Sequence, residues 1–152
     1  MMQKNWTFTI VLCFLTFIFQ NCNKQTLNNG SINVALDLRS LEYSALQTPG
    51  NSVKITDLGI AGLYVTRVDL VNFTVYDLFN PNINGVDPAG NLCALKLRPA
   101  NQTLTDLCNA IIYSTVDNQI SVPVNNTVTP APLKSYPYTY ISEPDREILY
   151  IQ

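Results

Sequence analysis

Apolar and polar residues alternate with a period of two along most of the chain after residue 30. Residues 31–38 set Ile32, Val34, Leu36 and Leu38 on one face against Asn33, Ala35 and Asp37 on the other, the spacing of a half-buried strand. Nine further apolar or alternating stretches follow, at 52–56, 59–68, 73–78, 92–97, 103–107, 110–116, 120–124, 136–142 and 148–151. Turn formers separate them, including Thr48-Pro49-Gly50, Asp69 to Asn72, Asp117-Asn118, Asn125-Asn126 and the Pro144 turn. The 52–78 portion reads as a meander. No segment sustains a helical period, so the pattern predicts an all-β domain.

One connection breaks the rhythm. "DLFNPNINGVDPAGNLC", Asp77 to Cys93, carries Pro81, Gly85, Pro88 and Gly90 between two strand-like stretches. Proline lacks the ladder donor and glycine is costly to order, so this is a loop rather than a strand. Loops of this length inside compact domains are uncommon and often functional.

The residue inventory narrows the chemistry. The 152 residues are 47% hydrophobic and 13% charged, a balance for a sheet protein whose solvent face is covered by Asn, Thr and Ser. A net charge of −2 with scattered Lys and Arg offers no basic stripe, which argues against nucleic acid as a partner. The chain has no histidine, which removes His-based acid/base catalysis, serine triads and imidazole-ligated metals. No phosphate-loop, dinucleotide, nucleophile-elbow or zinc-protease string is present. The acidic residues, among them Asp69, Asp106, Asp117 and Glu143, fall mostly at turns, where Asp is a turn former by default; Asp77 reads as a loop anchor accepting backbone donors. Tyr136, Tyr138 and Tyr140 alternate on one face, as sheet packing with hydroxyls at the rim or as an aromatic platform.

The first residues have a separate character. Lys4 precedes an apolar run at 10–19, too short to span a membrane as a helix, and Cys22 follows it, the plan of an export signal. Residues 1–21 are expected to be a signal peptide, 22–30 a polar tether and 31–152 the folded domain. The placement of Cys22 resembles a bacterial lipoprotein signal, which implies a lipid on Cys22 and a membrane contact through that anchor. Phe19-Gln20-Asn21 departs from the small residues usual before such a cysteine. Cys13 lies inside the apolar run, which leaves Cys93 and Cys108 in the domain. Two cysteines in an oxidising compartment suggest one disulfide, with two free thiols as the other reading.

"NSVKITDLGIAGLYVTRV", "FTVYDLFNPN", the cysteine-bearing loop, "TPAPLKSYPYTYI" and the closing "EILYIQ" together resemble a Rieske-type domain of the exported Rieske-like lipoproteins of Bacteroidetes. The resemblance covers residues 31–152. It implies an antiparallel β-sandwich or barrel of about nine or ten short strands with two protruding loops, and a [2Fe-2S] cluster held by a Cys-x-His in the first loop and a Cys-x-x-His in the second. On that frame Asn80 stands at the first cysteine position, Asn82 at the first histidine, Cys108 at the second cysteine and Ile111 at the second histidine. Two carboxamides and an isoleucine cannot replace one thiolate and two imidazoles, so no iron and no other cofactor is expected. The family also implies a disulfide joining the two loops, here Cys93 with Cys108, and Ile111, Ile112 and Phe79 would fill the space of the lost cluster.

The resulting expectation is a lipid-anchored protein of the bacterial cell envelope, without enzymatic activity, acting as a binding or structural module toward an envelope protein. Two other classes stay open. One is a [2Fe-2S] electron-transfer protein or oxidoreductase subunit; the other is a glycosylated eukaryotic secreted protein with sequons at Asn29, Asn72, Asn101 and Asn125.

Overall fold

The computed structural model describes residues 32–82 and 95–152. The signal and tether residues, Cys22, Cys93 and most of the long loop lie outside them. Among the described residues the strands are β1 (Val34–Asp37), β2 (Ser52–Ile55), β3 (Leu63–Arg67), β4 (Phe73–Asp77), β5 (Leu95–Arg98), β6 (Thr103–Asp106), β7 (Ile112–Ser114), β8 (Ile120–Ser121), β9 (Tyr138–Glu143) and β10 (Arg146–Ile151). Single turns of 3-10 helix at Ser44–Gln47 and Pro99–Asn101 are the helical content there. The all-β class read from the alternation is observed, and each strand falls on one of the alternating stretches.

All pairings are antiparallel and build three sheets, in the orders β1-β10-β9, β2-β3-β4 and β5-β6-β7-β8. The meander expected over 52–78 is the second of these. It is the middle layer. Leu63, Val65, Phe73 and Val75 on one of its faces pack with Leu36, Leu149 and Ile151 of the first sheet. Tyr76, which points to the opposite face, packs with Leu104, Ile111, Tyr113 and Leu133. Every residue of β3 is buried as a consequence. Burying a large aliphatic or aromatic side chain stabilises by about 1.5–3 kcal/mol, so these two clusters hold the layers together.

Two local departures from the alternating pattern have plain causes. The 59–68 stretch enters its strand only at Leu63, because Gly59 and Gly62 take φ of +76° and +102° and form a turn. A Cβ on Gly59 would lie 2.6 Å from Asp77 Oδ2, so the turn also needs glycine for space. The three tyrosines are packing residues rather than a platform. Tyr136 is buried, Tyr138 and Tyr140 pack against the first core cluster, and the Tyr138 hydroxyl accepts the Phe73 amide at 3.0 Å.

A buried cation ties the two layers at the end away from the long loop. Arg67, 5% exposed, donates to Leu46 O at 3.0 Å, Asp69 O at 3.1 Å, Tyr140 OH at 3.0 Å and Glu147 Oε1 at 2.9 Å. Burial pushes the Glu147 carboxyl up, but the Tyr140 and Arg67 hydrogen bonds outweigh it and hold the group below the usual range.

Candidate functional site

β4 and β6 both end in an aspartate that is wholly buried, and each opens one of the two loops at the same end of the molecule. The strings that follow match: Asp77-Leu78-Phe79-Asn80 and Asp106-Leu107-Cys108-Asn109. In each, the carboxylate accepts the amide two residues on, Phe79 N at 2.8 Å and Cys108 N at 3.0 Å. This is the Asx turn by which Asp stops a strand and starts a loop.

Asp77 also accepts Ile60 N at 2.7 Å, Ala61 N at 3.1 Å and the Tyr136 hydroxyl at 2.7 Å. The donors come from the glycine turn before β3 and from the segment before β9, so one carboxylate fixes three pieces of chain. Burial pushes the Tyr136 hydroxyl far up, and the hydrogen bond to the Asp77 anion adds to it. The loop-anchor role read for Asp77 from sequence is the observed one.

Asp106 is the corresponding hub of the second loop. It accepts Asn109 Nδ2 at 2.8 Å, Asn109 N at 3.3 Å and Asn82 Nδ2 at 3.1 Å, and its own amide donates to Ile111 O at 2.8 Å. Burial pushes its carboxyl up, and the Asn109, Cys108 and Asn82 donors together outweigh that and hold it below the usual range. Among the described residues neither Asp77 nor Asp106 is paired with a cation.

The loops meet through Asn82. Its Nδ2 donates to Asp106 and, at 2.6 Å, to the Tyr113 hydroxyl, while its Oδ1 accepts Ala131 N at 3.0 Å. Tyr113 in turn donates to Ala131 O at 3.2 Å, and burial raises its hydroxyl pKa. Asn82 therefore bridges the first loop, the second loop and the proline-bearing strap of residues 122–137. Asn80 is buried and its Oδ1 accepts Asn82 N at 3.0 Å, which orients the bridge.

The remaining residues singled out from sequence divide. Ile111 is fully buried in the second core cluster, as expected of a space-filling residue. Ile112 is not: it is 42% exposed, because adjacent residues on a strand face opposite ways and Ile111 and Tyr113 take the inside. Phe79 is half-buried. Cys108, also half-buried, is disulfide-bonded; the pairing itself, and with it Cys93, lies outside the described residues. Among the described residues there is no group of three or more His, Cys, Asp or Glu placed to hold a metal ion. No described helix is long and apolar enough to cross a membrane.

Asp106 looks like an ordinary turn former in the sequence and is a hub in the structure. The signal that would have found it is the repeated Asp-Leu-x-Asn string closing an apolar strand. Chemically, the site is two buried carboxylates met by amide and hydroxyl donors, with the Asn82 carboxamide bonded across the loops, an arrangement suited to holding the two loops in fixed relation. No family model, curated protein or solved structure matches the chain.

Proposed function

We propose that the chain is a binding or structural module of the cell envelope, Rieske-like in build, whose two loops are held by protein contacts where the resembled family uses an iron–sulfur cluster. The observation that carries this reading is the use made of Asn82. At the position where the resemblance puts a histidine ligand, its carboxamide is engaged with Asp106, Tyr113 and Ala131. Ile111, at the second histidine position, is committed to the core. The ten short antiparallel strands among the described residues, with one loop after β4 and another after β6, support the architecture that the resemblance implies. A Cys93 to Cys108 bridge would complete the clamp between the loops, and the disulfide-bonded state of Cys108 supports it. The reading further takes Cys22 as the lipid attachment and the membrane as the surface on which the module stands.

The test is spectroscopic. Aerobically purified full chain should contain no stoichiometric iron and show neither visible charge-transfer bands nor the EPR signal of a reduced [2Fe-2S] centre. A red-brown preparation with two irons per chain would establish the electron-transfer alternative instead. Mass spectrometry of the mature N-terminus should find a diacylated or triacylated Cys22; an unmodified Cys22 removes the anchor.

A further inference from the structure

Beside the second loop lies an open groove of about 430 Å3, within the size of small-molecule sites. One wall is Cys108 to Ala110 and the other is the strap, from Pro123 through Val128. Among the described residues the lining holds no charged group, and its cysteine is disulfide-bonded. From residue 107 to 133 the chain carries a single formal charge, Asp117.

The polar groups of the groove fall into two kinds. Asn109 and Asn126 are committed to the fold: Asn109 binds Asp106, while Asn126 donates to Asn109 O and accepts Val128 N at 2.9 Å. They fix the walls. Asn125 and Thr127 make no side-chain hydrogen bond among the described residues, and both are exposed. A carboxamide and a hydroxyl each donate and accept, which is the pairing that alcohol groups require. Pro123, Ala110 and Val128 add small aliphatic surface against which C–H faces can pack.

We propose that this groove binds a neutral, hydroxyl-rich ligand, the end of a glycan. An anion or cation would give up hydration there with no countercharge among the described lining residues to replace it. An extended peptide is the weaker fit, because β8 ends at Ser121 and Pro123 at the groove cannot donate to an added strand. The proposal names the ligand class for the binding module proposed above and rests on that reading.

Saturation-transfer NMR on the full chain tests it, with cellobiose, lactose and N,N′-diacetylchitobiose as probes and glucuronate and an end-capped Gly-Ser peptide as comparators. At least one neutral disaccharide should bind, and Asn125→Ala and Thr127→Val should each weaken it about tenfold. Both side chains are exposed and make no hydrogen bond among the described residues, so neither variant should shift the thermal midpoint. The proposal is overturned if no neutral saccharide binds, if glucuronate or the peptide binds better, or if neither substitution changes affinity. Iron measured on the same preparation keeps the two readings apart. Iron-loaded protein defeats the parent reading, whereas metal-free protein indifferent to every saccharide defeats this one alone.

Discussion

At the scale of single residues, the loop end is governed by two carboxylates that are out of solvent yet, among the described residues, have no cation beside them. An isolated buried anion is costly, and such a group normally takes up a proton. Here amide donors replace the lost water, which is why Asp106 stays below the usual carboxylate range in spite of burial. The consequence for stability has a definite sign. A folded-state pKa lower than the unfolded value of 3.8 means that this stabilisation is complete above about pH 5 and is lost as pH falls through the lowered pKa. Asp106→Asn should cost about 3 kcal/mol at neutral pH, because the new amide faces the Asn82 and Asn109 donors. It should also flatten the acid limb of a plot of unfolding free energy against pH. Urea denaturation of both proteins from pH 3 to 7 measures the two effects together; parallel curves at equal stability would show that Asp106 carries no such burden.

At the scale of elements, the strands were legible because their burial is carried by alternation, and β1 through β10 fall where Ile32, Val34, Leu36 and the later runs put them. What alternation does not encode is where a polar group sends its hydrogen bonds. Asp77 was readable as an anchor by its place at the head of a long loop. Asp106 heads a loop too short to draw notice, and Asn82 finds its partners 24, 31 and 49 residues away. The paired isoleucines show the same limit: two adjacent apolar residues suggested two buried ones, and strand geometry admits one. The second loop also carries a backbone cost that composition does not reveal. Ala110 holds φ of +53°, a left-handed conformation that costs a residue with a Cβ about 1–2 kcal/mol. Ala110→Gly should therefore leave stability unchanged or raise it by up to about 1 kcal/mol, the relief of strain being offset in part by glycine's entropy. Gly59→Ala is the opposite case, with φ of +76° and a Cβ 2.6 Å from Asp77 Oδ2, and should destabilise by about 1–3 kcal/mol. Thermal midpoints of the two variants, moving in these directions, would separate strain tolerated in a loop from strain forbidden at an anchor.

At the scale of the whole molecule, the middle sheet serves both core clusters, but the two sides are secured differently. The side toward β1, β9 and β10 is closed by aliphatic and aromatic packing and by the pair of buried Arg67 with half-buried Glu147. Toward β5 to β8 the apolar cluster is smaller, and the loops beyond it depend on Asn82, Asp106 and the disulfide at Cys108. If Cys93 is the partner, the bridge closes a ring of about 15 residues and removes about 3 kcal/mol of chain entropy from the unfolded state. Reduction should then act unevenly. Amide hydrogen exchange should quicken at Asn82 and across residues 106–111, while β3, β4 and β10 keep their protection until global unfolding. The thermal midpoint should fall as well, and thiol labelling of unreduced, denatured protein should leave both cysteines untouched. Uniform loss of protection over all three sheets would instead mean that the loop clamp and the body unfold as one unit. That outcome would mean that the apolar core shared by β1, β3, β4 and β10 has no stability of its own apart from the loop clamp.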